Sequence, residues 1–316
     1  MKAIVQNAYG SPEVLEFKEI DQPVVEENEV LVRVHAAALH AGDYFTMRGE
    51  PYVARMAAGW PNPNNYVPGF DVAGQVEAVG KNVTRLQPGD EVFGECGGAC
   101  AEYACAGEDR FVHKPTNLTL EQAAAVPTSA FAALHGLRDA GKIQVGEKVL
   151  INGASGGVGT YAVQIAKALG GEVTGVCSTR NVELVRSIGA DHVIDYTQED
   201  FTHGELRYDL ILDNVANHSL SDCWQVLTPQ GRHIPNSGNS GLGFILKAFL
   251  LSVFVRKQGS PSVSVPKYDD LVFIKELIEA GKVAPVIDRT YTLEETPEAM
   301  GYVGEGHAQG KVVIKL

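Results

Sequence analysis

Between a strand-like run, Lys148-Val-Leu-Ile-Asn152, and a helical run, Val158 to Leu169, lies Gly153-Ala-Ser-Gly-Gly-Val-Gly159. A glycine-rich turn in that setting brings backbone N–H groups close to a pyrophosphate and aims the positive end of the next helix at its charge. A second strand, Glu172 to Cys177, follows at the spacing of a dinucleotide-binding βαβ unit. The candidate binding residues are therefore Ser155, Gly156, Gly157, Val158 and Gly159. The second strand runs into Cys177-Ser-Thr-Arg-Asn181, with no carboxylate for a ribose 2′-hydroxyl. Ser178 can donate a hydrogen bond and Arg180 can grip a 2′-phosphate through its planar fork, which points to NADPH. The alternative is that Ser178 and Asn181 only open the next helix while Arg180 is solvated.

These residues need a parallel sheet to hold them. From Lys148 onward, strands (Val149–Asn152, Glu172–Cys177, His192–Ile194, Asp209–Asp213, Gly231–Ile234) alternate with helical patterns, notably Asn181–Ile188 and Leu220–Leu227. That alternation predicts an α/β, Rossmann-type, doubly wound parallel sheet covered on both faces. Upstream, Val30–His35, Val72–Val79, Glu91–Gly94, Ala101–Ala104 and Phe111–Lys114 read as short strands punctuated by turns such as Gln87-Pro-Gly-Asp90. This part predicts a small barrel or sandwich. Thr119-Leu-Glu-Gln122 has the form of a capping box that opens a helix, which Pro127 then breaks or kinks. A helix over Tyr268 to Ala280 and a final strand, Lys311 to Leu316, close the chain.

Composition narrows the function. With 316 residues, the chain is long enough for two domains, and its 21% charged residues suit a globular protein. A net charge of −13 argues against nucleic acid as a partner. The N-terminus meets polar residues too early for a secretory signal. The longest apolar stretch, Gly243 to Val255, is too short to span a bilayer and is interrupted by Lys247. Five cysteines suggest reduced thiols in a cytoplasmic protein.

A strand-rich first third before a Gly-Gly-Val-Gly nucleotide unit resembles the medium-chain dehydrogenase/reductase superfamily. The resemblance extends to Val67-Pro-Gly-Phe-Asp-Val-Ala-Gly74, Pro88-Gly-Asp-Glu-Val-Phe93, Gly97-Gly-Ala-Cys-Ala-Glu-Tyr103, Gly189-Ala-Asp-His-Val-Ile-Asp-Tyr196 and Gly310-Lys-Val-Val-Ile314. Within the superfamily the chain is most similar to the zinc-independent quinone oxidoreductases and alkenal/enone reductases. The resemblance implies a GroES-like β-rich domain from residues 1–120 and 286–316, with an NADPH-binding Rossmann domain over 121–285. It also implies hydride transfer to a quinone or an α,β-unsaturated carbonyl. An enoyl-thioester reductase and a catalytically idle NADPH-binding protein are the alternatives.

Zinc relatives carry a ligand Cys near the position of His40 and a Gly-His-Glu where this chain has Gly69-Phe-Asp71, so no metal is expected. The resemblance places Tyr52, His40 and Asp43 on the segments that cover the nicotinamide, as candidate catalytic residues. The family's Thr near the nicotinamide corresponds to Ala132, for which Thr128 can substitute. Tyr196 and Asn214 are cofactor candidates by motif position. Gly243 to Val255 is apolar nearly all round, and Ser262-Val-Ser-Val265 suits an edge strand. A buried helix serving as cleft lid and dimer contact is expected there, giving a homodimer, with membrane association the minority reading.

Overall fold

The computed structural model describes residues 1–50, 52, 55, 59–63, 66–236, 259 and 264–316. The chain forms two compact units, each with its own sheet. The first unit comprises Met1–Thr128, Pro266–Glu279 and Pro285–Leu316, and the second Ser129–Val265 and Ala280–Ala284.

In the first unit, a two-stranded ribbon of β1 (Lys2–Gln6) and β2 (Leu15–Glu19) accompanies a larger, mostly antiparallel sheet. That sheet contains β3 (Glu29–Leu39), β4 (Asp71–Val79), β5 (Glu91–Glu95), β6 (Tyr103–Gly107) and β7 (Phe111–His113). Strand β6 starts two residues later than the sequence pattern suggests; Ala101 instead makes an isolated bridge to Ala3. The short helix α1 (Ala41–Arg48) follows β3 and ends on Gly49, whose φ of 65° lies in the left-handed region. Helix α2 (Leu120–Ala124) opens with the expected capping box: the Gln122 N–H donates to Thr119 Oγ1, and the Thr119 N–H donates to Gln122 Oε1. Pro127 begins α3 (Pro127–Leu134), which runs on into a wider π-helical turn at His135–Ala140.

In the second unit, β8 (Lys148–Asn152), β9 (Glu172–Cys177), β10 (His192–Asp195), β11 (Tyr208–Asp213) and β12 (Leu227–Pro235) form one parallel sheet. Its order is β10-β9-β8-β11-β12, so the order in which strands are added reverses between β8 and β11 while all strands stay parallel. Val149-Leu-Ile151 and Leu210-Ile-Leu212 are fully buried continuous runs, as a parallel sheet covered on both faces requires. Helix α4 (Gly157–Ala168) buries Gly159 through Ala166. The helices α5 (Val182–Ser187) and α6 (Leu220–Gln225) complete the alternation.

The chain then returns to the first unit. Helix α7 (Tyr268–Glu279) belongs there, not to the nucleotide unit in which the sequence pattern puts it. Asn117 Nδ2 donates to the Ile278 carbonyl at 2.8 Å, and the Arg85 guanidinium lies 4.2 Å from the Tyr268 ring centroid. After β13 (Ile287–Thr292) and α8 (Thr296–Gly304), β14 (Lys311–Lys315) inserts between β13 and β3. Val312 and Ile314 thereby join Val30, Val32, Val72 and Phe111 in one core. The apolar segment 243–255 and residues 262–263 of the expected edge strand lie outside the described residues.

Candidate functional site

In the second unit, the glycine-rich turn lies at the carboxyl end of β8, beside the point where strand order reverses. Open α/β sheets bind their ligands at such a point. Gly153 and Gly159 each have a separate structural reason. Gly153 has φ 76°, which a side chain resists. A Cβ on Gly159 would run into the Gly153 carbonyl and Ala154, so this glycine lets α4 pack against the turn. Gly156 has a φ of −80°, open to any residue, and a Cβ there would meet nothing closer than the Gly153 carbonyl at 3.6 Å. The protein's own packing thus gives no reason for glycine at 156. Room left over a helix N-terminus that has no side-chain cap fits the close approach of a pyrophosphate.

The turn after β9 lies next to it. Ser178 precedes a 3-10 turn over Thr179–Asn181, whose middle residue, Arg180, is exposed. Asn181 Nδ2 donates to Ser155 Oγ at 2.8 Å, joining this turn to the glycine-rich one. Tyr196 is 59% exposed and its N–H donates to the Cys177 carbonyl. One difference from the sequence pattern matters here. The strand β9 brings no carboxylate, but the neighbouring β10 does. Asp195 stands opposite Cys177 and accepts from the Thr179 hydroxyl at 2.6 Å. Bonds from Thr179 and Thr197 hold its carboxyl below the usual range. Asn214 is tied into the sheet end: its Nδ2 donates to the Asn152 carbonyl, and its Oδ1 accepts from Asn236. One amide hydrogen of Asn214 remains for a ligand.

In the first unit, a buried ionic cluster lies near Asp43, one of the expected catalytic residues. Asp71 is fully buried on β4 and accepts from Lys311 Nζ at 2.9 Å. Its other oxygen accepts from both the N–H and the hydroxyl of Thr128, at 2.8 and 2.5 Å. The Thr128 hydroxyl hydrogen is thus engaged, and only its lone pairs are left for a cofactor. Lys311 is 1% exposed. Across the sheet, Asp71 pairs with Glu95. Burial, with Asp71 beside it, pushes the Glu95 carboxyl up to about 7.

Asp43 is buried, and burial pushes its carboxyl up; the neighbouring Asp71 adds to this, while His40 and Lys311 oppose it. Its Oδ2 accepts from the His40 N–H at 2.8 Å, which closes the first turn of α1. The His40 ring stacks on Phe70, with centroids 5.9 Å apart and planes 20° apart. His40 Nε2 lies 3.5 Å from Asp43 Oδ2 and is buried without a hydrogen-bond partner; Asp43 Oδ1 is unpartnered too. Tyr52 is different: its ring is 69% exposed, with the Arg55 guanidinium 4.5 Å from its centroid.

Among the described residues, one group has ligand atoms close enough to share a metal ion: Asp213, Cys223 and His233, all buried. Its carboxylate is already engaged. Asp213 accepts from His233 Nε2, Asn152 Nδ2 and the N–H groups of Val215 and Ala216. Burial works against the charge, but these bonds and the facing His233 hold the carboxyl below its ordinary value. Burial pushes the Cys223 thiol up to about 12, far from a ready thiolate ligand.

Sequence reasoning missed Lys311, Glu95 and the role of Asp71. A signal existed for the first: Lys311 opens an otherwise apolar strand, Val312-Val-Ile314, directly after a turn glycine. For Glu95 the causes are burial and a cross-strand neighbour 24 residues away in sequence.

Two family models match the chain: "Alcohol dehydrogenase GroES-like domain" over residues 26–117 and "Zinc-binding dehydrogenase" over 188–314. The chain is 31% identical to the chloroplast envelope quinone oxidoreductase homolog of Arabidopsis thaliana, covering 100% of this chain and 98% of that protein. It is 32% identical to the NADPH-dependent alkenal/one oxidoreductase, chloroplastic, of the same plant, covering 99% and 79%. Among solved structures, the quinone oxidoreductase from Coxiella burnetii superposes with a TM-score of 0.88 at 29% identity, covering 100% and 99%.

Proposed function

Because the chain belongs to the quinone and enone reductase group of the medium-chain dehydrogenase/reductase superfamily and is an oxidoreductase built to use a nicotinamide cofactor, we propose that it is an NADPH-dependent, zinc-independent reductase of quinones or α,β-unsaturated carbonyls. The observation that carries this reading is the space at Gly156 over the α4 N-terminus, beside Ser178 and Arg180. NADPH, when bound, supplies the hydride.

The chain's residues do the rest. The turn from Ser155 to Gly159 and the helix N-terminus receive the pyrophosphate, and Arg180 faces the 2′-phosphate. Tyr196 and Asn214 complete the cofactor contacts in this unit. A conjugated acceptor needs a hydrogen-bond donor at its oxygen and a proton for its carbon, but no Lewis acid. His40 fits the donor role, because its buried Nε2 has no partner in the protein and Asp43 stands 3.5 Å away. Tyr52 is the second candidate donor.

The His40–Phe70 stack supports a mechanism without zinc, since it fills positions where zinc relatives keep thiolate and imidazole. No helix among the described residues is long and apolar enough to cross a membrane. With all five cysteines unpaired, a cytoplasmic setting is the reading we favour, and a homodimer the assembly. Turnover of NADPH with a panel of quinones, enones and enoyl thioesters tests the proposal. Oxidation of NADPH by quinones or enones is expected. Activity confined to enoyl thioesters, or none with any acceptor, overturns it.

A further inference from the structure

Asn181 occupies the N-cap of α5 but does not cap it: its side chain makes no bond to the helix. Asn is common at that position because its oxygen usually accepts from the first helical N–H groups. Here the side chain turns away and donates through Nδ2 to Ser155 Oγ at 2.8 Å, 26 residues back in the glycine-rich turn. The residue is 5% exposed, and its Oδ1 is buried without a partner. The Asn181 N–H, donating to the Ser178 carbonyl, fixes the backbone that carries the side chain.

The direction of the Asn181–Ser155 bond has a chemical consequence. A serine hydroxyl has one hydrogen and two lone pairs. An amide that donates to the oxygen occupies a lone pair and leaves the hydrogen to go elsewhere. Ser155 then presents a donor, which is what a phosphate oxygen requires. The buried Oδ1 of Asn181 in turn lacks a donor, which costs free energy until one arrives.

We propose that Asn181 is a positioning residue for the adenosine diphosphate half of the cofactor: it orients Ser155 as a phosphate donor and offers Oδ1 to a ribose hydroxyl. The inference rests on the cofactor reading above. Because this half is common to NADPH and NADH, Asn181 acts on both, unlike Arg180.

Calorimetric titration with ADP-ribose, NADPH and NADH tests the proposal without turnover. Asn181→Ala is expected to weaken all three ligands by about three- to tenfold, as for the loss of one or two hydrogen bonds. Ser155→Ala should give a similar loss, and the double variant should lose less than the product of the two single losses, because the two residues share the phosphate contact. Asn181→Asp gives a second arm. It keeps the side-chain shape and a bond to Ser155, but in reverse, since a carboxylate only accepts. The Ser155 hydrogen is then drawn inward, so the turns stay tied while binding falls at least as far as in Ser155→Ala. Unchanged affinity in Asn181→Ala, fully multiplicative losses in the double variant, or an Asn181→Asp affinity equal to the parent's would each overturn the inference. If the unaltered protein binds none of the three ligands, the cofactor reading itself fails, and this inference with it.

Discussion

Removing the buried cation of the first unit should destabilise that unit. Lys311 and Asp71 are 1% and 0% exposed, with 2.9 Å between Nζ and Oδ2. Lys311→Met keeps the length and removes the charge. Asp71 then retains only the two bonds from Thr128, while facing Glu95 across the sheet and Asp43 nearby. Stranding one member of a buried ion pair costs about 3–5 kcal/mol. The Thr128 bonds put the expected loss near the lower end, about 3 kcal/mol at pH 8. In the variant, the Asp71 carboxylate is left without its cation. Urea unfolding followed by circular dichroism should show this loss. Asp71→Asn in the same chain should restore most of the stability at pH 8, because the amide oxygen still accepts from Thr128 and no charge is stranded. A loss under about 1 kcal/mol at pH 8, or no rescue by Asp71→Asn, would refute this account of the pair.

Glu95, pushed up to about 7 from 4.5, favours its neutral form in the fold. That stability is complete below about pH 4.5 and lost as pH rises through 7, by up to about 3 kcal/mol. Glu95→Gln should flatten the urea midpoint between pH 5 and pH 8, and a midpoint profile identical to the parent's would count against it. Arg180→Ala should weaken NADPH by about one to two decades and leave NADH nearly unchanged, as for a lost charge-assisted pair; titration showing equal losses would make Arg180 structural. His40→Ala should lower enone turnover by about a hundredfold, the effect of losing a positioned proton donor, and quinone turnover by less. Tyr52→Phe should shift the enone-to-quinone ratio in the same direction, and unchanged enone kinetics in both variants would remove the pair from the mechanism. Elemental analysis should find no stoichiometric zinc; one zinc per chain, with activity lost to a chelator, would sink the zinc-free route.

Part of this protein is legible in local chemistry alone. The glycine-rich turn, the parallel strands from Lys148 onward and the capping box at Thr119 are each written in neighbouring residues. Their physics acts within a turn or two: conformational freedom at Gly153, apolar runs in doubly covered strands, and one side chain bonding the backbone three residues away. The family resemblance, not local chemistry, pointed to His40, Phe70 and Asp43. What lay beyond the sequence depends on partners distant along the chain. Asp71 draws its counter-charge from Lys311, 240 residues later, so neither residue's environment can be read from its neighbours. The Asp195 carboxylate reaches Thr179 because two parallel strands lie in register, and Asn181 meets Ser155 because two turns share one sheet end. Helix α7 shows the same limit: its amphipathic pattern requires a partner face without saying which, and tertiary packing supplied the first unit. Burial, charge pairing and the shift of a carboxyl such as Glu95 are set by dielectric and distance in three dimensions, which the tertiary fold alone decides.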